Sequence, residues 1–324
     1  MNPLTRTEHT SVSPLVSVLL LTYNHERYVA EALESILAQQ ADIEVLICED
    51  CSTDRTREIV QEFREAHRDC VRLFLSDHNL NDNSVMTRAW RSARGRYIAI
   101  LDGDDYWTDP YKLQKQVDYL EQHEEVFVCG HAVNVINEAG QIINNSKFDI
   151  YQDRYITAEG LVTDYGIPTL SMVFRNNKML PASEVFRDVF NADTFMIAYF
   201  ANFGGAYIMK EVMGTYRQHR KGLWTGPTAH EVVDHSHETF SRIPMVLSSD
   251  LRAVGYLVLL YHALCKDYSW RRKLTNIPYA SMMLISHLRL RSMKCITGLI
   301  AKKMRQLLRT SILGQRVRVN AVER

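Results

Sequence analysis

Short, β-branched apolar runs recur about every 25 residues, and each leads into a segment of helical periodicity, the alternation that builds parallel βαβ units. Val16 to Thr22 ("VSVLLLT") reads as a buried strand, and "YNHERYVAEALESILAQQ" places Val29, Leu33, Ile36 and Leu37 on one helical face. Ile43 to about Cys48 forms a second strand, followed by the helix "STDRTREIVQEFREAH", which Ser52 or Thr53 can cap. "VRLFLSD" is a third strand, "SVMTRAWRSARG" a helix closed by Gly95, and "RYIAIL" a fourth strand. The expected class is α/β, a Rossmann-like, mostly parallel central sheet flanked by helices. Beyond Pro110 the pattern gives a helix over "YKLQKQVDYLEQH" and a strand over "VFVCGHAVNVIN", with a turn at Glu138–Gly140. Residues 144–170 are polar and irregular. "SMVFRN" reads as a strand, "NADTFMIAYFANFG" as a short helix, and "AYIMKEVMGTYRQH" as a strand pair with a turn. From about residue 229 the chain is helical. The expected organisation is a flexible 1–13, an α/β domain over 14–225 with halves 14–110 and 111–225, and a helical, basic region over 226–324.

Polar clusters fall where these strands end. Thr22-Tyr23-Asn24 follows the first strand and Glu49-Asp50 the second, while the fourth runs straight into "DGDD", Asp102 to Asp105. In an open parallel sheet, ligands bind at the carboxyl ends of the strands. Carboxylates this close disfavour joint ionisation, so a cation belongs among them. A hard divalent ion with oxygen ligands fits, and it can bridge the phosphates of a nucleotide. An aspartate at the second strand end can accept hydrogen bonds from an imide N–H or a ribose hydroxyl. The first turn, "TYNHERY", has no glycine, and there is no P-loop, which argues against a dinucleotide-binding or P-loop site.

At these residues the chain resembles the family 2 glycosyltransferases of the GT-A fold. The resemblance runs in collinear order through "VSVLLLTYNHERYVAEALESILAQ", "IEVLICEDCSTDRT", "ARGRYIAILDGDDYWTDPYKLQKQVDYLE", "IPTLSMVFRN" and "YRQH". It implies that Thr22, Tyr23 and Asp50 line the pocket for base and ribose of a nucleotide-sugar. Asp102 and Asp104 form the DXD motif, with Asp104 contacting Mn2+ or Mg2+. Asp105 binds metal or shapes the turn, and His219 completes the metal or diphosphate site. Asp193 is the general base, with Asp188 and Asp164 as fallbacks, since Ala192 stands where relatives often carry Glu. The implied reaction is inverting transfer of one sugar, from a UDP-sugar, to a glycan or lipid-linked acceptor in surface polysaccharide synthesis (O-antigen or capsule). The Gln-x-x-Arg-Trp pattern of processive members is absent.

Other readings are weighed on composition. Six scattered cysteines do not suggest a disulfide framework, and Cys48-x-x-Cys51 lacks the second pair or nearby histidines of a zinc site. A formal net charge of zero conceals a split: Arg271 to Arg324 holds thirteen Lys/Arg against one acid, Glu323. That segment suits an anionic membrane surface, a solvated helical cap, or a homodimer contact. It carries no nucleic-acid-binding motif, and no nucleic-acid partner is expected. With no signal pattern and no apolar run long enough to span a bilayer, a cytoplasmic location is expected, free or peripheral at the inner face of the plasma membrane. The competing functions are a nucleotidyltransferase, which would want a Gly-rich basic loop after the first strand, and a catalytically inactive nucleotide-sugar-binding scaffold.

Overall fold

A computed structural model of the chain describes residues 14–143, 150–163, 166–181, 183–219 and 229–265. These residues group into two compact units: one from 14–155, 166–188 and 206–219, the other from 156–163, 189–205 and 229–265.

The first unit is built on a nine-stranded mixed sheet. Its opening half is the expected alternation: β1 (Val16–Thr22), α1 (Val29–Leu37), β2 (Ile43–Glu49), α2 (Thr56–Ala66), β3 (Val71–Leu75), α3 (Ser84–Ser92) and β4 (Tyr97–Asp102). β1 lies between β2 and β4 and pairs parallel with both, Val16 opposite Ile43 on one side and Tyr97 on the other. Strands covered on both faces are mostly apolar, and β1, β2 and β4 are buried along almost their whole length; the buried Ser17 of β1 donates to the buried Glu44 of β2 at 2.6 Å. β5 (Tyr106–Trp107), α4 (Lys112–Gln122), β6 (Val126–Ile136), β7 (Arg154–Ile156), α5 (Ala158–Leu161), β8 (Val173–Arg175), α6 (Ser183–Phe186), α7 (Ala192–Phe200), β9 (Gly205–Arg217), α8 (Ala229–Val246) and α9 (Ser249–Cys265) follow. The sheet order is β3-β2-β1-β4-β8-β6-β9-β5, with β7 joined to β9. β8 pairs antiparallel with β4 and β6, and β5 with β9. Val18, Leu20, Val45, Ile47, Ala99 and Leu101 of the parallel strands pack with Val29, Leu33 and Ile36 of α1 and with Leu113, Val117 and Leu120 of α4. Burial of this apolar surface is the main driving force for the unit.

Several expectations need correction. Residues 205–217 form one continuous strand, not a pair with a turn. Gly214 sits inside it because a Cβ there would lie 2.7 Å from Leu170 Cδ1 and 3.3 Å from Tyr106 O, where β5 crosses. Gly95 does not end α3, which stops at Ser92. A Cβ at Gly95 would meet the Ser17 amide at 2.4 Å, and the Gly95 N–H donates to Ser17 Oγ at 2.8 Å, so this glycine permits contact with β1. α2 starts at Thr56, later than the Ser52 or Thr53 cap allows; Asp54 Oδ1 accepts the Thr56 N–H at 2.9 Å instead. The stretch read as irregular contains β7 and α5, with Thr157 capping α5 through the Gly160 N–H.

The second unit is helical. Past the Asp193-Thr194 of its first turn, α7 is apolar on all sides and buries Phe195, Met196, Ile197, Ala198, Tyr199 and Phe200. Asn202 ties the α8–α9 junction, donating to Val246 O at 2.9 Å and accepting the Ser248 N–H at 2.8 Å. Among the described residues no helix is long and apolar enough to cross a membrane. Cys48, Cys51, Cys70 and Cys129 are free thiols. Residues 1–13, expected to be flexible, Asp164 and the basic segment 271–324 lie outside the described residues.

Candidate metal centre

Three segments of the first unit meet beyond the ends of β1 and β4. They are the β1–α1 loop, the β4–β5 turn and the end of β9. The β4–β5 turn carries Asp104, whose Oδ2 faces His219 Nε2 at 2.9 Å and His25 Nε2 at 3.8 Å. These three donor atoms all lie within 4.8 Å of one another. Burial alone would raise the Asp104 carboxyl, but the His219 hydrogen bond and the charges of both imidazoles outweigh it and hold the group below the ordinary range. Burial also lowers the His25 imidazole, Asp104 opposing and His219 reinforcing the shift. One carboxylate and two imidazoles in that compass match the chemistry of a divalent-ion site.

The surrounding chain explains the geometry. Gly103 N donates to Leu21 O at 2.7 Å, drawing the turn back onto β1. A Cβ at Gly103 would fall 2.8 Å from His25 Nδ1 and 2.8 Å from Thr22 Oγ1, so the motif's middle residue is glycine for lack of space. Asn24, at φ 56°, turns the β1–α1 loop; its N–H donates to Ser52 Oγ at 2.9 Å and its Oδ1 accepts the Thr53 N–H at 2.8 Å. His25 N donates to Thr56 Oγ1 at 2.8 Å. Asp105 does not join the cluster. It is 2% exposed, and its Oδ1 accepts the Arg217 N–H at 2.8 Å, so it shapes the turn. Burial first, then the charges of Asp104 and Asp102, push its carboxyl well above the ordinary range.

Arg217 braces the same turn from β9. Its Nε donates to Asp104 O at 3.0 Å and its Nη2 to Glu31 Oε2 at 2.7 Å. The guanidinium lies 4.6 Å from the Tyr28 ring centroid and 5.5 Å from that of Tyr106, and Tyr28 packs 5.2 Å from the His219 ring. Neither His25 nor Arg217 was singled out from sequence. Their signal is position: one follows the first strand end by three residues, the other precedes His219 by two.

The other expected residues take distinct places. Thr22 is buried, its Oγ1 3.4 Å from His25 Nδ1, while Tyr23 is partly open to solvent. Asp50 accepts the Leu80 N–H at 3.0 Å and the Asn81 N–H at 3.1 Å, one on each oxygen, and so shapes the loop after β3. Asp102 closes β4 opposite Leu21. Asp193 stands in the first turn of α7 in the second unit, its Oδ1 accepting the Thr194 N–H at 2.6 Å. Asp188, in the first unit, is exposed and pairs with Arg187 at 3.1 Å.

Residues 17–179 match the profile described as Glycosyl transferase family 2. The uncharacterized protein Rv1520 of Mycobacterium tuberculosis is 34% identical over 212 residues, 64% of this chain and 60% of that relative. The UDP-Glc:alpha-D-GlcNAc-diphosphoundecaprenol beta-1,3-glucosyltransferase WfgD of Escherichia coli is 30% identical over 172 residues, 52% of this chain and 63% of its own. The chain thus spans about 60% of the length of the curated relatives it matches first. The mannosyltransferase PcManGT of Pyrobaculum calidifontis, solved with GDP-Man and Mn2+, superposes with a TM-score of 0.55 at 18% identity, covering 92% of this chain and 81% of that one. That likeness shows the fold, which is GT-A. A match over half of the chain, which includes His25 and Asp104 and stops short of His219, places it in glycosyl transferase family 2.

Proposed function

We propose that this protein is an inverting, metal-dependent glycosyltransferase. It moves one sugar from a UDP-sugar to a hydroxyl of a glycan or lipid-linked acceptor in surface polysaccharide synthesis. The observation that carries the reading is the Asp104–His219 pair at 2.9 Å, at the strand ends where an α/β sheet takes its ligand. The UDP preference is supported by WfgD, whose name specifies UDP-Glc and a diphosphoundecaprenol-linked acceptor, and the metal by the Mn2+ bound to PcManGT.

Asp104 and His219 hold the ion, Mn2+ or Mg2+, and Asp102 stands beside them at the end of β4. The bound cation supplies positive charge against the diphosphate that leaves. Thr22, Tyr23 and Asp50 border the nucleoside; each Asp50 oxygen keeps a lone pair beyond the loop amides it accepts. Asp193 takes the proton from the acceptor hydroxyl as that oxygen attacks the anomeric carbon. The bond from that carbon to the diphosphate oxygen breaks in the same step, so an α-linked donor yields a β-linkage. A role for 271–324 at an anionic membrane surface rests on its Lys/Arg content and suits a lipid-linked acceptor.

The test is a thermal-shift and hydrolysis screen of UDP-, GDP- and dTDP-sugars, with and without Mn2+, on the wild type and Asp104→Ala. The expected result is stabilisation by UDP-sugars that needs metal, vanishes in the variant, and accompanies slow release of UDP. Stabilisation without turnover would favour a non-catalytic binding protein, and no response to any nucleotide-sugar would refute the assignment.

A further inference from the structure

We infer that His25 is a third ligand of the ion, and that the resulting two-histidine, one-carboxylate site selects Mn2+ and its borderline neighbours over Mg2+. The inference rests on the proposed function, in that it assumes the Asp104 cluster takes a divalent cation.

The first argument is rigidity. His25 lies in a loop held on every side. Its own N–H is bound by Thr56 Oγ1 at 2.8 Å, the Asn24 N–H by Ser52 Oγ at 2.9 Å, and the Glu26 N–H by Asp54 Oδ2 at 3.1 Å. Its ring rests against Gly103, where a single added carbon would stand 2.8 Å from Nδ1. A side chain confined in this way is placed before any ligand arrives, as a metal ligand needs to be.

The second argument is orientation. Nδ1 lies 3.4 Å from Thr22 Oγ1, which leaves Nε2 to face Asp104. Metal-bound histidines ordinarily give their other ring N–H to a nearby oxygen acceptor, and Thr22 stands where that acceptor belongs. The third argument is distance. His219 Nε2 is within hydrogen-bond reach of Asp104 Oδ2, whereas His25 Nε2, at 3.8 Å from the same oxygen, is beyond it. Donor atoms at about 2.1 Å from one ion stand roughly 3 to 4 Å apart, so that gap suits a shared cation better than a direct bond.

The selectivity follows from the donors. Mg2+ prefers oxygen ligands in a near-ideal octahedron and gives up its waters reluctantly. Imidazole suits transition ions, and Mn2+, though it favours oxygen and binds most weakly of that series, takes nitrogen donors more readily than Mg2+ does. Three protein donors leave coordination positions open for phosphate oxygens of a nucleotide.

The experiment is electron spin-echo spectroscopy of Mn2+ on the full chain with UDP, with Mg2+ competition read from the same signal. The expected wild-type spectrum shows nitrogen coupling from two imidazoles, falling to one in His25→Gln, with Mn2+ affinity down about 10- to 100-fold. His25→Asp is expected to move the Mn2+/Mg2+ preference toward Mg2+ by about tenfold or more. Thermal unfolding of both variants verifies folding, and the wild-type spectrum decides the ligand count without either. Bound Mn2+ with one coupled imidazole in the wild type that persists in His25→Gln, or Mg2+ competing as an equal, would overturn the inference while leaving Asp104 and His219 as ligands. No Mn2+ binding by the wild type in the presence of UDP would overturn both the inference and the metal-dependent reading on which it rests.

Discussion

Replacing Gly103 with alanine should damage the candidate site far more than the fold. The new Cβ would stand 2.8 Å from His25 Nδ1, 2.8 Å from Thr22 Oγ1 and 3.0 Å from Thr22 Cβ. Ordinary carbon contacts begin near 3.5 Å, so each neighbour must retreat by about 0.5 Å or more. Thr22 cannot retreat freely, because it is buried in β1 opposite Glu49 and its carbonyl accepts the Asp50 N–H at 3.2 Å. The displacement therefore falls on the His25 ring, whose backbone is pinned at Thr56, and on the Asp102–Asp105 turn. Overpacking of this kind costs about 1–3 kcal/mol of stability. A misplacement approaching 1 Å in a catalytic centre costs on the order of 100-fold in rate. Thermal unfolding with Mn2+ titration and donor-turnover assays would separate the two effects. We expect a small drop in Tm, Mn2+ affinity reduced by about tenfold or more, and turnover reduced further. Wild-type affinity and turnover in Gly103→Ala would refute the claim that the turn is packed rigidly against His25 and Thr22.

Two further outcomes follow from buried groups. Lys112 is 0% exposed, its Nζ lies 4.2 Å from the Trp107 ring centroid without a hydrogen-bond partner, and burial lowers its amine to about 7. Above that pH the folded amine is neutral while the unfolded one stays protonated, so stability rises with pH; from pH 7 to 8.5 the gain is about 1.5 kcal/mol, by linkage from an unfolded value near 10.4. Lys112→Met should be more stable than the wild type at pH 7 and lack this slope in paired urea titrations; parallel slopes would contradict the buried, neutral amine. Cys129, its thiol pushed up by burial to about 12, opposes the trend at higher pH, which is why the window stops at 8.5. Arg217→Lys keeps the charge and the backbone bond to Asp105 but loses the fork joining Asp104 O to Glu31. It should lower Mn2+ affinity about tenfold with little change in Tm, read by Mn2+ titration and thermal unfolding; unchanged affinity would reduce Arg217 to a surface brace.

The parallel half of the sheet was legible because its signal is local. β1 through β4 are apolar runs separated by amphipathic helices, and neither depends on what the chain does elsewhere. The antiparallel half was less so. β5 is two residues long and exists only because β9 passes beside it, and Gly214, inside the stretch read as a strand pair with a turn, is instead the point where those strands approach. Gly95 misled in the same way, since a glycine required by a neighbouring strand looks in sequence like a helix stop. The site divided similarly. Asp104 and His219, 115 residues apart, were found through motifs and do meet. Of the two roles expected for Asp105, metal binding or shaping the turn, the structure shows the second, through the Arg217 N–H, a partner that "DGDD" does not name. His25 was overlooked because a lone histidine in a loop carries no pattern; its partners lie on other elements.

The central claim is a division of labour, with Asp104 holding the ion and donor and Asp193 activating the acceptor. The most direct test is calorimetric titration of UDP with Mn2+, alongside UDP release from a UDP-sugar, on the wild type, Asp104→Asn and Asp193→Asn. The account predicts that Asp104→Asn loses the metal-dependent binding, while Asp193→Asn keeps wild-type binding and loses turnover by about 100-fold or more. Undiminished binding in Asp104→Asn, or undiminished turnover in Asp193→Asn, would contradict it.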